Sequence, residues 1–245
     1  MAGAEIAVQA TELTKVIKER IIVDRISFSV KEGEIFGLLG SNGYGKTTTF
    51  NMLAGLLAPS SGAITILGKS IKELQKSKPE VGFVTQENSF YETLSVRENL
   101  EFFASQYGLG SSETPKVVAR LLGQMKLTDK EEVVAARLSG GMKKRLNIAC
   151  SLIHDPRVVF LDEPTVGLDP VVRKEVWAVI KELHSTKITI IITSHYMDEI
   201  EQLCDRVAIM FAGRIVDSGT PEELKKKYGL KQMEDVFAYL VKPAA

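Results

Sequence analysis

Two periods of apolar residues take turns along this chain. Ile26, Phe28 and Val30 alternate with Ser27 and Ser29, the period-two pattern of a strand with one buried face. "EIFGLLG" (34–40) is a short apolar run closed by glycine, and a helix is expected after it, from about Lys46 to Leu57. "GAITILG" (62–68) reads as a further strand. From about Glu87 to Asp155 the period becomes helical. Ser95 is a candidate N-cap there, and Glu98 three residues on completes a capping-box pattern. After Pro156, "RVVFLDEP" and "ITIIITSH" are β-branched runs suited to strands buried on both faces of a parallel sheet. "RVAIMFAGRIVDSGT" predicts a hairpin turning at Ala212 and Gly213. Thr220 followed by Pro221 and two acids predicts a last helix start. The pattern is an α/β core interrupted by a helical insertion.

Composition narrows the class. The 245 residues are 44% hydrophobic and 25% charged, enough for a real core in one large domain or a domain with a subdomain. Lys+Arg and Asp+Glu are both 31, so the formal charge is zero and no nucleic-acid partner is expected; "KELQKSK" and "ELKKK" read as solvated helix faces. Cys150 and Cys204 lie in apolar-periodic stretches without metal-ligand spacing, which suits reduced core thiols and a cytosolic compartment. No apolar run approaches a bilayer span, and "MAGAEIAVQATELTK" has no signal-peptide pattern. Work at a membrane would require a partner to hold the chain there.

The first candidate chemistry is "GSNGYGKT". Gly40, Ser41, Asn42, Gly43, Tyr44, Gly45, Lys46 and Thr47 fit GxxxxGK[ST] between an apolar strand and a helix, and Thr48 follows. Glycines let backbone N–H groups wrap phosphates, and the helix N-terminus adds its dipole. Lys46 is expected to reach the β- and γ-phosphates and the Thr47 hydroxyl to ligate Mg²⁺. At the end of "VVFLDE", Asp162 is placed to orient the Mg²⁺ and Glu163 to polarise an attacking water. An Asp-Glu pair after an apolar run is ordinarily a solvated strand end, and the phosphate loop reverses that reading.

A second glycine turn, Ser139-Gly140-Gly141, opens a helical pattern through Met142, Leu146, Ala149, Cys150 and Ile153. Alone it is an ordinary capped helix. With GSNGYGKTT (40–48), VTQEN (84–88), LSGGMKKR (138–145), VVFLDEP (158–164), GLDP (167–170) and TSH (193–195) in this order, the sequence resembles the nucleotide-binding domain of ABC transporters over nearly its whole length.

The resemblance implies an α/β fold: a P-loop NTPase core with a mostly parallel central sheet, an N-terminal antiparallel β-subdomain and a helical subdomain insertion. It implies one domain over 1–245, with a core at about 1–86 and 157–220, a helical subdomain at about 87–156 and C-terminal helices at about 221–245. ATP and Mg²⁺ are the implied ligands. In that family two domains pair head to tail, so Ser139, Gly140 and Gly141 would meet the ATP held by a partner's phosphate loop. Gln86 would sit near Mg²⁺ and the attacking water, His195 would contact the γ-phosphate, and Asp169 would cross the dimer interface. Lys46, Gln86, Glu163 and His195 are the implied catalytic set.

Four positions depart from the family pattern, one of them Ser41, which replaces a frequent Pro. The adenine-stacking aromatic is replaced at the matching position by Ile17. Tyr44 stands where a small residue is common, and Met142 where many relatives have Gln. None removes a phosphate ligand. The stretch at 194–241, "SHYMDEIEQLCDRVAIMFAGRIVDSGTPEELKKKYG" followed by "MEDVFAYLV", is similar to ATPase subunits of exporters of drugs, antibiotics, sodium, lipids or polysaccharides. Implied partners are a second ATP-binding subunit, identical or paralogous, and separate membrane permease subunits. The implied place is the cytoplasmic face of the membrane. Phe90 and Tyr91 are candidates to line the permease-docking groove. The alternative is a soluble ABC-type ATPase of translation, DNA repair or chromosome organisation, although those usually carry two motif sets or long coiled coils.

Overall fold

A computed structural model describes residues 5–74 and 80–241. In chain order the elements are β1 (Ile6–Ile17), β2 (Arg20–Lys31), β3 (Ile35–Leu39), α1 (Lys46–Leu53), β4 (Ser61–Ile66), β5 (Lys69–Ser70), α2 (Ile71–Leu74), β6 (Val81–Val84), α3 (Val96–Gln106), α4 (Thr114–Gln124) and α5 (Gly140–Ser151). Then follow β7 (Val158–Asp162), α6 (Pro170–Ser185), β8 (Thr189–Ser194), α7 (Met197–Leu203), β9 (Arg206–Phe211), β10 (Arg214–Gly219), α8 (Pro221–Tyr228) and α9 (Met233–Leu240). The chain forms two compact units, Met1–Lys78 with Thr189–Ala245, and Pro79–Ile188.

In the first unit β2, β1, β4 and β5 make an antiparallel sheet in that order. Its alternation is the predicted one: Ile26, Phe28 and Val30 are buried, while Ser27 is exposed. The unit's other strands run β10-β9-β3-β8, with β3 parallel to both β8 and β9. Every residue of β3 and β8 is buried, as two-sided burial of a parallel strand requires. The β9–β10 hairpin turns on Ala212 and Gly213, both at positive φ. Thr220 caps α8 in a full capping box.

α1 stops at Leu53, four residues short of the expected end at Leu57. Gly55 at φ +71 takes the left-handed turn that ends the helix, and the N–H groups of Leu56 and Leu57 fold back to the Asn51 carbonyl. The turn leaves the Leu56 side chain in solvent.

In the second unit β6 and β7 are parallel, Val81 opposite Val158 through Val84 opposite Leu161. Helices α3 to α6 complete it, and Ser95 caps α3 with the predicted box. This unit contains the expected insertion at 87–156 together with β6, β7 and α6. Cys150 and Cys204 are buried and unpaired.

Candidate functional site

The first unit holds the phosphate loop. β3 ends at Leu39, and the Gly40 N–H donates to the Ser194 carbonyl at 3.2 Å. The loop tightens through Tyr44 N–H to the Ser41 carbonyl (3.3 Å) and reaches Gly45 at φ +95. Only glycine fits there: a Cβ would lie 2.8 Å from the Ile22 carbonyl oxygen at the start of β2. α1 has no side-chain hydrogen bond at its N-cap, Gly45, and a helix start of that kind suits an anion. Lys46 is buried and its Nζ donates to the Ser41 carbonyl at 3.3 Å, inside the loop. Asn42, Gly43 and Thr47 are exposed. The loop therefore fits a phosphate group by its own geometry.

Tyr44 is explained by a neighbour. Its ring sits edge-on to Phe211, centroids 5.1 Å apart, at the end of β9. β8 runs beside β3 with Ser194 opposite Leu39, so His195 leaves the sheet next to the loop and at the same end. Its ring lies 4.1 Å from that of Tyr196. Ile17 closes β1 opposite Arg20 and is 41% exposed. The Ile22 contact with the loop puts this hairpin end beside the phosphate loop.

The second unit holds the carboxylates. Gln86 lies two residues beyond β6, and Asp162 is the last residue of the paired strand β7. Asp162 and Glu163 are both buried, and Glu163 is left-handed at φ +46. A non-glycine residue held so costs on the order of 1–3 kcal/mol, and such positions cluster at functional sites. The Gln86 side chain is exposed, but its backbone carbonyl accepts from Lys144 Nζ at 2.5 Å. Lys144 is itself buried. Desolvation lowers its pKa, opposed in part by the Asp162 and Glu163 charges.

Ser139 caps α5 through Oγ, which accepts from Met142 N–H at 3.4 Å, and it stays exposed. A Cβ on Gly141 would stand 2.2 Å from Val172 Cγ1, so the glycine lets the starts of α5 and α6 pack side by side. Gly140 is close to Leu168 in the same contact. Asp169 caps α6, accepting from Val171 and Val172 N–H at 3.0 and 3.1 Å. Further along α5, Arg145 donates to the Met125 and Lys126 carbonyls at the end of α4. Phe90 is buried, which removes it from any exposed groove, whereas Tyr91 is 50% exposed against Phe102. Lys144, Arg145 and Asn147 were not among the sequence candidates. Their signal was present as polar residues inside an otherwise buried helix.

The ABC transporter family model matches residues 23–166. The chain belongs to the ABC transporter family. It is 40% identical over 243 residues to the probable multidrug ABC transporter ATP-binding protein YbhF of Escherichia coli (strain K12), a match that covers 97% of this chain and 42% of that protein. It is 44% identical over 222 residues to the linearmycin resistance ATP-binding protein LnrL of Bacillus subtilis (strain 168), covering 90% and 71%. Among solved structures, cbiO1 of Clostridium perfringens, part of the ABC transporter complex cbiONQ, superposes with TM-score 0.83 at 31% identity, over 97% of this chain and all of that one. This ABC chain thus spans less than half the length of its E. coli relative. An α/β ABC ATPase fold agrees with both its strands and its motif order.

Proposed function

We propose that this chain binds and hydrolyses ATP and that ATP-driven head-to-tail pairing with a second ATP-binding subunit powers a membrane exporter. The observation that carries the reading is the uncapped start of α1, with Lys46 buried inside a glycine loop that no side chain could replace at Gly45. Backbone N–H groups of the phosphate loop and the Lys46 ammonium hold the phosphates. The Thr47 hydroxyl, the Gln86 amide and the Asp162 carboxylate are hard oxygen donors of the kind Mg²⁺ takes. Bound Mg²⁺ would neutralise charge on the phosphate oxygens. Glu163 accepts the proton of the attacking water, and His195 and Lys46 stabilise charge on the γ-phosphate.

Ser139, Gly140 and Gly141 offer the N-terminus of α5 to the ATP of a second subunit, and Asp169 stands at the neighbouring start of α6. Ile17 receives the adenine. Among the described residues no helix is long and apolar enough to cross a membrane. Separate permease subunits would hold the chain at the cytoplasmic face, and the relatives' names, multidrug transport and linearmycin resistance, favour export.

Phosphate release from ATP·Mg²⁺ tests the reading. Wild type turns over, Lys46→Ala loses nucleotide binding, and Glu163→Gln binds ATP without turnover. Wild-type rates in Glu163→Gln would contradict it.

A further inference from the structure

Residues 85–89 have no regular secondary structure, so their backbone groups must find partners elsewhere. They find them on one face of α5. Lys144 Nζ donates to the Gln86 carbonyl at 2.5 Å. Asn147, three residues on and therefore on the same face, donates through Nδ2 to the Thr85 and Glu87 carbonyls at 3.4 and 3.3 Å. Its Oδ1 accepts from the Ser89 N–H at 3.0 Å. Four backbone groups of a five-residue segment are thus gripped by two side chains that are 7% and 2% exposed. Within the segment, Thr85 Oγ1 lies 2.9 Å from the Glu87 carbonyl and 3.0 Å from Ser89 Oγ, which folds it into one body.

The same helix starts at Ser139, five residues before Lys144, roughly 7–8 Å along the axis. Lys144 also lies within the field of Asp162 and Glu163. One rigid rod therefore carries the exposed Ser139 turn at its tip and the backbone of Gln86 on its flank.

We propose that Lys144 and Asn147 are positioning residues that clip Gln86 to the Ser139 helix, so that ATP from a second subunit at the Ser139 turn sets Gln86 relative to Asp162 and Glu163 of this chain. The inference rests on the ATPase reading above and adds a route by which one nucleotide site adjusts the other. Neither side chain touches nucleotide in this scheme. Their effect falls on the chemical step rather than on ATP affinity, which belongs to the phosphate loop in the first unit.

Three variants of the whole chain test it: Lys144→Met, which keeps the aliphatic stem and loses the donor; Lys144→Arg, which keeps a donor and a charge; and Asn147→Asp, which keeps shape and loses the amide donor. The readouts are kcat and KM for ATP, the Kd of a fluorescent ATP analogue, and amide hydrogen exchange at 85–89. Lys144→Met should lower kcat at least tenfold and leave KM and Kd within about twofold. It should speed exchange at 87–89 at least tenfold while amides in the body of α5 keep their rates. Lys144→Arg should restore most of both. Where Lys144→Met fails to fold, Asn147→Asp carries the same expectations. Wild-type kcat with wild-type exchange overturns the clip, and so does a loss that follows KM or spreads along α5. A wild-type chain without ATPase activity defeats the ATPase reading instead. The exchange arm then still decides whether the clip exists, and unchanged exchange overturns it.

Discussion

Replacing Gly141 by alanine perturbs the contact between the starts of α5 and α6. A Cβ built at Gly141 falls 2.2 Å from Val172 Cγ1, against about 3.5–4.0 Å for a relaxed carbon–carbon contact. Roughly 1.3–1.8 Å must be absorbed by turning Val172 or parting the two helices. Overpacking of this kind costs about 1–3 kcal/mol. Alanine returns up to about 1 kcal/mol of helix propensity in a helix interior, and less in this first turn. The net loss is therefore about 1–2 kcal/mol, or roughly 2–8 °C in Tm for a chain of this size.

Val172→Ala removes the clashing methyls. The double variant Gly141→Ala/Val172→Ala should then recover most of the loss, giving a coupling energy of about 1 kcal/mol or more in a double-mutant cycle followed by thermal unfolding. ATP-dependent pairing should recover with stability in the double variant, because the added Cβ points at Val172 inside the α5–α6 contact rather than out of the turn. Additive effects in the cycle, or an unchanged Tm in Gly141→Ala, would refute the packing argument.

Three further outcomes follow from other parts of the molecule. Ile17→Tyr, at the exposed hairpin end beside the phosphate loop, should tighten ATP by the value of one base–aromatic stack, about 1–3 kcal/mol, or roughly 5- to 150-fold in Kd; unchanged affinity in a titration counts against placing the adenine at Ile17. Ser95→Ala removes the side-chain half of the α3 capping box, the Oγ that accepts from the Glu98 N–H, and should cost about 1 kcal/mol in denaturant unfolding; no change in midpoint would mean that the box is solvated rather than capping. His154 is stacked on Tyr107, and its Nε2 sits 3.1 Å from the Val81 carbonyl. Burial lowers its pKa, with Val81 and Asp155 opposing. Below about pH 6.5 the unfolded chain takes up the proton more readily than the folded one, so stability should fall as pH drops through that range and His154→Gln should flatten the dependence. An unchanged pH profile in that variant sinks the assignment.

Much of the scaffold was legible because it depends on local rules. The period-two pattern of β2, the apolar run of β3, the β-branched runs of β7 and β8 and the caps at Ser95, Ser139 and Thr220 each follow from a few neighbouring residues. The end of α1 was missed because Gly55 was read as one more helical position rather than as a left-handed stop. Phe90 was misjudged for a different reason: exposure depends on what lies above a residue, which "ENSFYETLS" cannot say, and Asn99 and Asn147 pin this segment at Tyr91 and Ser89 with Phe90 turned inward between them.

The glycine turns were found by spacing, but half of their meaning was not. Gly141 is required by Val172, thirty-one residues away in sequence. Lys143, Lys144 and Arg145 stood in the sequence only as the tail of the LSGGMKKR motif, with no role of their own. In the fold Lys143 pairs with Glu92, Lys144 grips Gln86 and Arg145 ends α4. Such roles come from tertiary partners and leave only a faint trace in sequence, a polar residue where the helical period calls for an apolar one.

The central claim is that the Ser139 turn reads the ATP of a second subunit. Its most direct test is the mass of Glu163→Gln in solution, with ATP·Mg²⁺ and without nucleotide, beside Glu163→Gln/Ser139→Arg. The account predicts a dimer that appears only with ATP and disappears with the Ser139 change. A chain that remains monomeric with ATP bound, while the wild type hydrolyses ATP steadily as a monomer, would contradict it.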